Sequence, residues 1–228
     1  MIINTLRVRL RCWEQADRDA FATMHADPEV MHDYGGPISR SESDAKLDRY
    51  TMAYRQHGFC RWAVESREGG FLGYAGIMPS RPGHPIGSHF DIGWRLVRHM
   101  WGHGYATEAA RAALSDAFIR VRLDEVVAYT APDNLRSQAV MTRLQLQRDP
   151  SRDFMADYDS IKAWRGLVWV ARRTARFRFS ECRMRRFAIR QSHAAACRRP
   201  WPRSKRVMRC PAIAQKGAGS QTGALQMD

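Results

Sequence analysis

The chain has 228 residues, enough for one large domain or an ordinary domain with an appendage, and its 44% hydrophobic and 26% charged residues exclude wholesale disorder. No run approaches the ~18 uncharged apolar residues of a membrane helix, and the opening MIINTLRVRL holds no apolar leader, so a cytoplasmic protein without a membrane partner is expected. The net charge of +14 is uneven: residues 1–171 carry 22 Lys+Arg against 21 Asp+Glu, whereas residues 172–228 carry 15 against 2.

In chain order, Leu6, Val8 and Leu10 alternate with Arg7, Arg9 and Arg11, the period of a half-buried strand. An amphipathic helix follows over about Asp17 to His25, with Ala20, Phe21 and Met24 on one face. Ala26 to Gly36 reads as a turn, a short helix and a Gly-Gly loop. Ser39 and Glu42 stand at capping-box spacing and open a longer helix that stops near Gly58. Phe59 to Ser66 and Phe71 to Met78 are strands joined by a hairpin at REGG, and a Pro/Gly-rich loop from Pro79 to Gly87 leads to a strand over Phe90 to Val97. In WGHGYATEAARAALSDAF, Trp101 to Phe118, two glycines run straight into a helix whose buried face is mostly alanine, which lets the helix axis lie close to a sheet. Glu125 to Thr130 is a strand, Asn134 to Leu144 a helix and Gly166 to Ala171 a final strand. This order gives an α/β (α+β) domain over residues 1–173, a mixed and mostly antiparallel sheet flanked by helices, with one parallel step around Trp101 to Thr130.

Residues 174–228 have few aliphatic side chains, many arginines and no sustained period, so a basic C-terminal extension of low order is expected. Its charge suits RNA or another acidic partner, and it is equally compatible with an appendage that has no function. The five cysteines form no CxxC pair, and no His stands at zinc-finger spacing from two of them, so neither a disulfide framework nor a metal site is expected. His57, His84, His89, His99 and His103 are scattered and read as loop or surface residues.

The segment from Trp94 to Glu108 has a chemical rationale. A helix start offers unpaired N–H groups and a partial positive charge, and glycines remove the side chains that would hold a phosphate away from them. A lone Gly-x-Gly is more often only a tight turn before a buried helix, and neither a P-loop nor a complete Rossmann fingerprint is present. Asn134, between strand and helix, suits a helix cap, and Ser137 is an ordinary first-turn serine. Asp91 alternates along FDIGWRL and reads on its own as an exposed residue of that strand.

Five strings in order, TLRVRLRCW, DPEVM, FDIGWRL, WGHGYATEAA and NLRSQAVMTRL, resemble the GCN5-related N-acetyltransferase (GNAT) family, in particular its RimJ/RimL-like branch, from about Thr5 to Arg173. The resemblance implies acetyl-CoA as co-substrate, with no metal, and a primary amine as acceptor, at a protein N-terminus or on a small molecule. It implies that the backbone of Gly102, His103, Gly104, Tyr105, Ala106 and Thr107 holds the coenzyme diphosphate. It implies that the backbone of Trp94, Arg95 and Leu96, together with Asn134, meets the pantetheine arm. By the same resemblance Asp91 takes a proton from the amine, directly or through water, and Ser137 gives one to the leaving thiolate. Specificity is then expected in the loops Tyr34 to Ile38 and Pro79 to His89. Gln145 stands where the family usually ends this helix with Gly, which predicts a left-handed or differently closed helix end. Two other readings compete: a nucleic-acid binder acting through the basic extension, and a GNAT-fold protein that binds acyl-CoA without catalysis.

Overall fold

The computed structural model describes residues 1–157 and 162–173; the extension expected over 174–228 lies outside the described residues. All described residues belong to one compact unit. A sheet carries the fold in the order β1 (Ile2–Asn4), β2 (Val8–Arg11), β3 (Arg61–Ser66), β4 (Phe71–Pro79), β5 (Phe90–Leu96), β6 (Glu125–Thr130), β9 (Trp164–Arg172) and β7 (Gln147–Arg148), with β8 (Phe154–Ala156) pairing the start of β9. Every pairing is antiparallel except β5 with β6. The helices are α1 (Asp17–Ala26), α2 (Pro28–Met31), α3 (Arg40–His57), α4 (Tyr105–Asp116) and α5 (Leu135–Arg143). Among the described residues no helix is long and apolar enough to cross a membrane.

The local signals act as their chemistry demands. Ser39 and Glu42 form a full capping box at the start of α3, and Gly58 closes its end. Asp27 caps α2 by accepting from the N–H groups of Glu29 and Val30. Hairpin β3–β4 turns at Ser66 to Gly70, where Ser66 N donates to Gly70 O at 2.8 Å. The alanine face of α4, Ala109, Ala110 and Ala113, is almost wholly buried, and small side chains are what that close approach requires. The helix then loosens into a π-helical turn over Ala117–Val121. On the other side of the sheet, Trp13, Phe21 of α1 and Tyr50 of α3 cluster with Tyr74 of β4, with ring centroids between 4.8 and 6.2 Å apart.

Two expectations are refined. The edge strand β1 and the short strands β7 and β8 extend the sheet beyond the elements read from the sequence, and β3 begins at Arg61 rather than Phe59. Gln145 does adopt a left-handed backbone, φ 60°, and α5 closes as a Schellman motif: Leu146 N donates to Met141 O and Gln145 N to Thr142 O.

Candidate active site

The site begins as a split in the sheet. Strands β5 and β6 run parallel but share a single rung, Asp91 opposite Val127, after which they separate. On its other edge β5 remains fully paired with β4, Trp94 opposite Ala75, Arg95 opposite Tyr74 and Leu96 opposite Gly73. The polar backbone groups of β5 that point toward β6 beyond Asp91 therefore face the gap. One of them is already used, since the Trp101 indole N–H donates to Leu96 O at 2.9 Å.

At the end of β5 the chain passes through a short 3₁₀ turn, Arg98–Met100, into the glycine loop. Gly102 and Gly104 both have positive φ, 81° and 80°, and a Cβ on Gly102 would meet nothing within 4 Å, so the space above this loop is open. The first intrahelical bond of α4 runs from Glu108 N to Gly104 O. The N–H groups of Tyr105, Ala106 and Thr107 precede it and no side chain caps them. Arg7 braces the loop from β2's approach: its Nη1 donates to His103 O at 2.9 Å, its Nε to Glu108 at 2.7 Å, and its guanidinium lies 4.8 Å from the Tyr105 ring centroid. An exposed loop, a bare helix start and an open space together fit a phosphate group.

A cavity of about 390 Å3 opens on the α1/α3 side of the split and is bounded by α3, β4, β5 and α5. Asp91, Trp94, Arg95 and Ser137 line it; Leu96, Asn134 and the loop Gly102 to Thr107 do not. Asp91 is buried, which corrects the reading of it as an exposed strand residue, and its carboxylate is ion-paired with Arg61 of β3. Arg61, Gly76 and Gly93 stand in one row across three strands. A Cβ on Gly93 would sit 2.5 Å from the Arg61 guanidinium, so glycine there is what lets this side chain cross the sheet face to Asp91. Burial pushes the Asp91 carboxyl up; Arg61, with His89 and Arg49, opposes that push, and the net direction remains upward.

At the other end of the cavity Asn134 caps α5 by accepting from Ser137 N at 3.0 Å and donates to Asp33 Oδ2 at 3.0 Å. Asp33 in turn pairs with Arg95, whose Nη1 lies 2.9 Å from its Oδ1. The chain Arg95–Asp33–Asn134 therefore ties β5 to the start of α5 across the split. The Ser137 hydroxyl, half-buried, makes no hydrogen bond among the described residues and faces the cavity.

His84 and His89 are in a loop, as expected, and half-buried. Their rings stand 4.6 Å apart, both Nε2 atoms are buried without partners, and burial holds the His84 ring down at about 4. Among the aromatic residues, Tyr34 and Trp94 line the cavity while Phe59 and Trp62 are core. Sequence reading missed Lys46, Arg61, Tyr74 and the side chain of Arg95. Lys46 carried a signal: it falls on the buried stripe of α3 with Ser43, Tyr50 and Ala53, where a lysine is out of place without a polar purpose. Its Nζ lies 4.2 Å from the Tyr34 ring centroid, and burial brings it down to about 8. Burial alone would raise the Tyr74 phenol, but Lys46, Arg95 and Arg61 outweigh it and hold Tyr74 down at about 7. Cys12 and Cys60 lie outside the cavity, and burial pushes the Cys60 thiol up, away from nucleophilic use.

A profile of the acetyltransferase (GNAT) domain matches residues 7–147. The protein YkkB of Bacillus subtilis is 32% identical over 142 residues, which cover 61% of this chain and 81% of that protein. The FsC-acetyl coenzyme A-N(2)-transacetylase of Aspergillus fumigatus is 31% identical over 147 residues; these are 61% of this chain and 62% of that enzyme's length. Among solved structures, an acetyltransferase from Agrobacterium tumefaciens superposes with a TM-score of 0.64 at 27% identity, over 75% of this chain and 94% of that one.

Proposed function

Since the chain belongs to the GNAT acetyltransferase family, we propose that it transfers the acetyl group of acetyl-CoA to a primary amine by direct attack, as a member of the RimJ/RimL-like branch acting through residues 1–173. The observation that carries the reading is the single-rung β5–β6 pairing beside an uncapped helix start. The backbone of Gly102, His103, Gly104, Tyr105, Ala106 and Thr107 would hold the diphosphate. The free edge of β5 at Trp94 and Arg95, with Leu96 and Asn134, would hold the pantetheine arm. Bound there, acetyl-CoA supplies a thioester carbonyl as the electrophile.

The chain's own residues handle protons. A lysine-type amine has a pKa of ~10.4 and an α-amine ~7.7–8.0, so at neutral pH most of the acceptor is protonated and cannot attack. Asp91 is the proton acceptor of this proposal, directly or through water; burial raises its basicity while Arg61 holds its orientation. The amine nitrogen forms the new N–C bond, the C–S bond breaks, and the departing sulfur takes a proton from the Ser137 hydroxyl, whose oxygen recovers one from the nitrogen as it becomes the neutral amide. The Asn134 cap at Ser137 N fixes that hydroxyl's position in the first turn of α5.

The experiment is thiol release from acetyl-CoA over a panel of amines and peptides, with products identified by mass. Amine-dependent release and an N-acetyl product are expected. Coenzyme binding without any acetylated product would leave an acyl-CoA-binding protein, and the enzyme reading would be wrong.

A further inference from the structure

We infer that the acceptor is a small amine that also carries an oxyanion group, a carboxylate or phosphate, seated on Lys46 and Tyr50 in the cavity beside β5. The inference rests on the acetyltransferase reading above and adds the acceptor's chemical class. Five cationic side chains line the cavity, Lys46, Arg49, Arg61, Arg81 and Arg95, against two carboxylates, Asp33 and Asp91. Both carboxylates are already committed, Asp91 to Arg61 and Asp33 to Arg95. No carboxylate lies within ion-pair distance of Lys46 among the described residues, although Lys46 is only 8% exposed.

The unpartnered polar atoms tell the same story. Tyr50 is fully buried and lines the cavity, and its hydroxyl has only the Tyr74 hydroxyl as a weak neighbour; Arg61 Nε and Arg95 Nε have no partner. Buried polar groups are ordinarily satisfied, and each exception calls for a reason. These exceptions are N–H or O–H donors of residues that line the same cavity as Lys46, whose ammonium has no carboxylate partner among the described residues. A group with several lone pairs and a negative charge satisfies them together; an uncharged or cationic acceptor satisfies none of the charge. The depressed Tyr74 phenol reflects the same three cations, Lys46, Arg95 and Arg61.

The arrangement also serves the reaction. Anchoring the oxyanion at the α3 wall sets the amine over β5, near Asp91 and Gly93. The surplus of positive charge disfavours the ammonium form and so raises the fraction of neutral, attacking amine. It also rejects polycationic acceptors, since like charges across a desolvated cavity repel. A volume of about 390 Å3 is within the ~300–1,000 Å3 typical of small-molecule sites.

The test starts with the full chain and a calorimetric titration of coenzyme A. Failure to bind would sink the acetyltransferase reading and this inference with it. Into protein saturated with coenzyme A, N-acetylglycine is titrated against N-acetylglycinamide, and N-acetyl-phosphoethanolamine against N-acetylethanolamine. We expect at least one acid to bind tenfold or more tightly than its uncharged partner, and the preferred pair tells carboxylate from phosphate. Lys46→Met should bring that ratio close to one and Lys46→Arg should restore it, with melting curves confirming folded protein. Should Lys46→Met not fold, Arg81→Gln at the exposed mouth takes its place and should lower the ratio. Coenzyme binding with no preference for either acid, or a preference that survives these substitutions undiminished, would overturn the inference alone.

Discussion

At the scale of single residues, the Arg61–Asp91 pair joins a stability argument to the proposed chemistry. Removing the carboxylate strands a buried guanidinium, which costs about 3–5 kcal/mol in comparable buried pairs. Asp91→Asn should lower unfolding stability by that order in urea titrations, and the double variant with Arg61→Met should lose less than Asp91→Asn alone. If Asp91 is the base, Asp91→Asn depresses the acetylation rate most at low pH, where free amine is scarcest; an unchanged pH–rate profile would remove it from the mechanism. His25 supplies a second prediction. Burial, with Lys46 and Arg95 nearby, lowers its ring to about 3, while Nδ1 donates to Phe21 O at 2.9 Å. The unfolded chain therefore binds this proton first, near pH 6.5, and the folded chain does not. Stability should fall by ~1.4 kcal/mol per pH unit as pH drops from about 6.5 toward 3. His25→Asn, which does not titrate, should flatten that slope; equal slopes in the two proteins would contradict the assignment. Asp91 was legible as a candidate because it sits on FDIGWRL, but its partner was not: Arg61 lies 30 positions away, and no local pattern announces a side chain that crosses a strand.

At the scale of elements, what the chain states locally it states well. The capping box of α3, the REGG turn, the strand Glu125 to Thr130 and the Asn134 cap all rest on interactions within a few residues. Strands β1, β7 and β8 escaped because two or three residues cannot display a period of two; the sheet edge they join recruits them. Gln145 shows how the fold overrides preference: a non-glycine at φ 60° costs ~1–2 kcal/mol, yet burial of Leu146 beside Met141 holds the Schellman closure together. The glycine loop yields a sharper test. Gly102→Ala has room for its methyl group in the protein but not the backbone freedom, so it should lose about 1–2 kcal/mol of stability. The same methyl group fills the open space above the loop, so acetyl-CoA affinity should drop by tenfold or more in calorimetry. A stability loss with unchanged affinity would show that the loop is only a turn.

At the scale of the whole molecule, charge and cavity separate what a sequence tells from what it hides. The basic surplus lies in residues 172–228 while residues 1–171 are almost neutral, and that division is countable. If the extension is an appendage, a chain ending at Arg173 should keep its fold and its acetylation rate. A truncated protein that melts normally but no longer acetylates would assign the extension a part in the reaction. The cavity's character was not countable, because its cations come from α3, β3, β5 and the loop after β4, and only the assembled sheet puts them around one space. The glycine loop, by contrast, was legible as a phosphate candidate, and the structure adds the strand edge left open beside it by the one-rung pairing. The most direct measurement follows these amides themselves. In 1H–15N spectra of labelled protein, adding acetyl-CoA should move the resonances of Gly102 to Thr107 and of β5 more than those of β1 to β3. Saturating coenzyme that leaves the amides of Gly102 to Thr107 where they were would contradict the account.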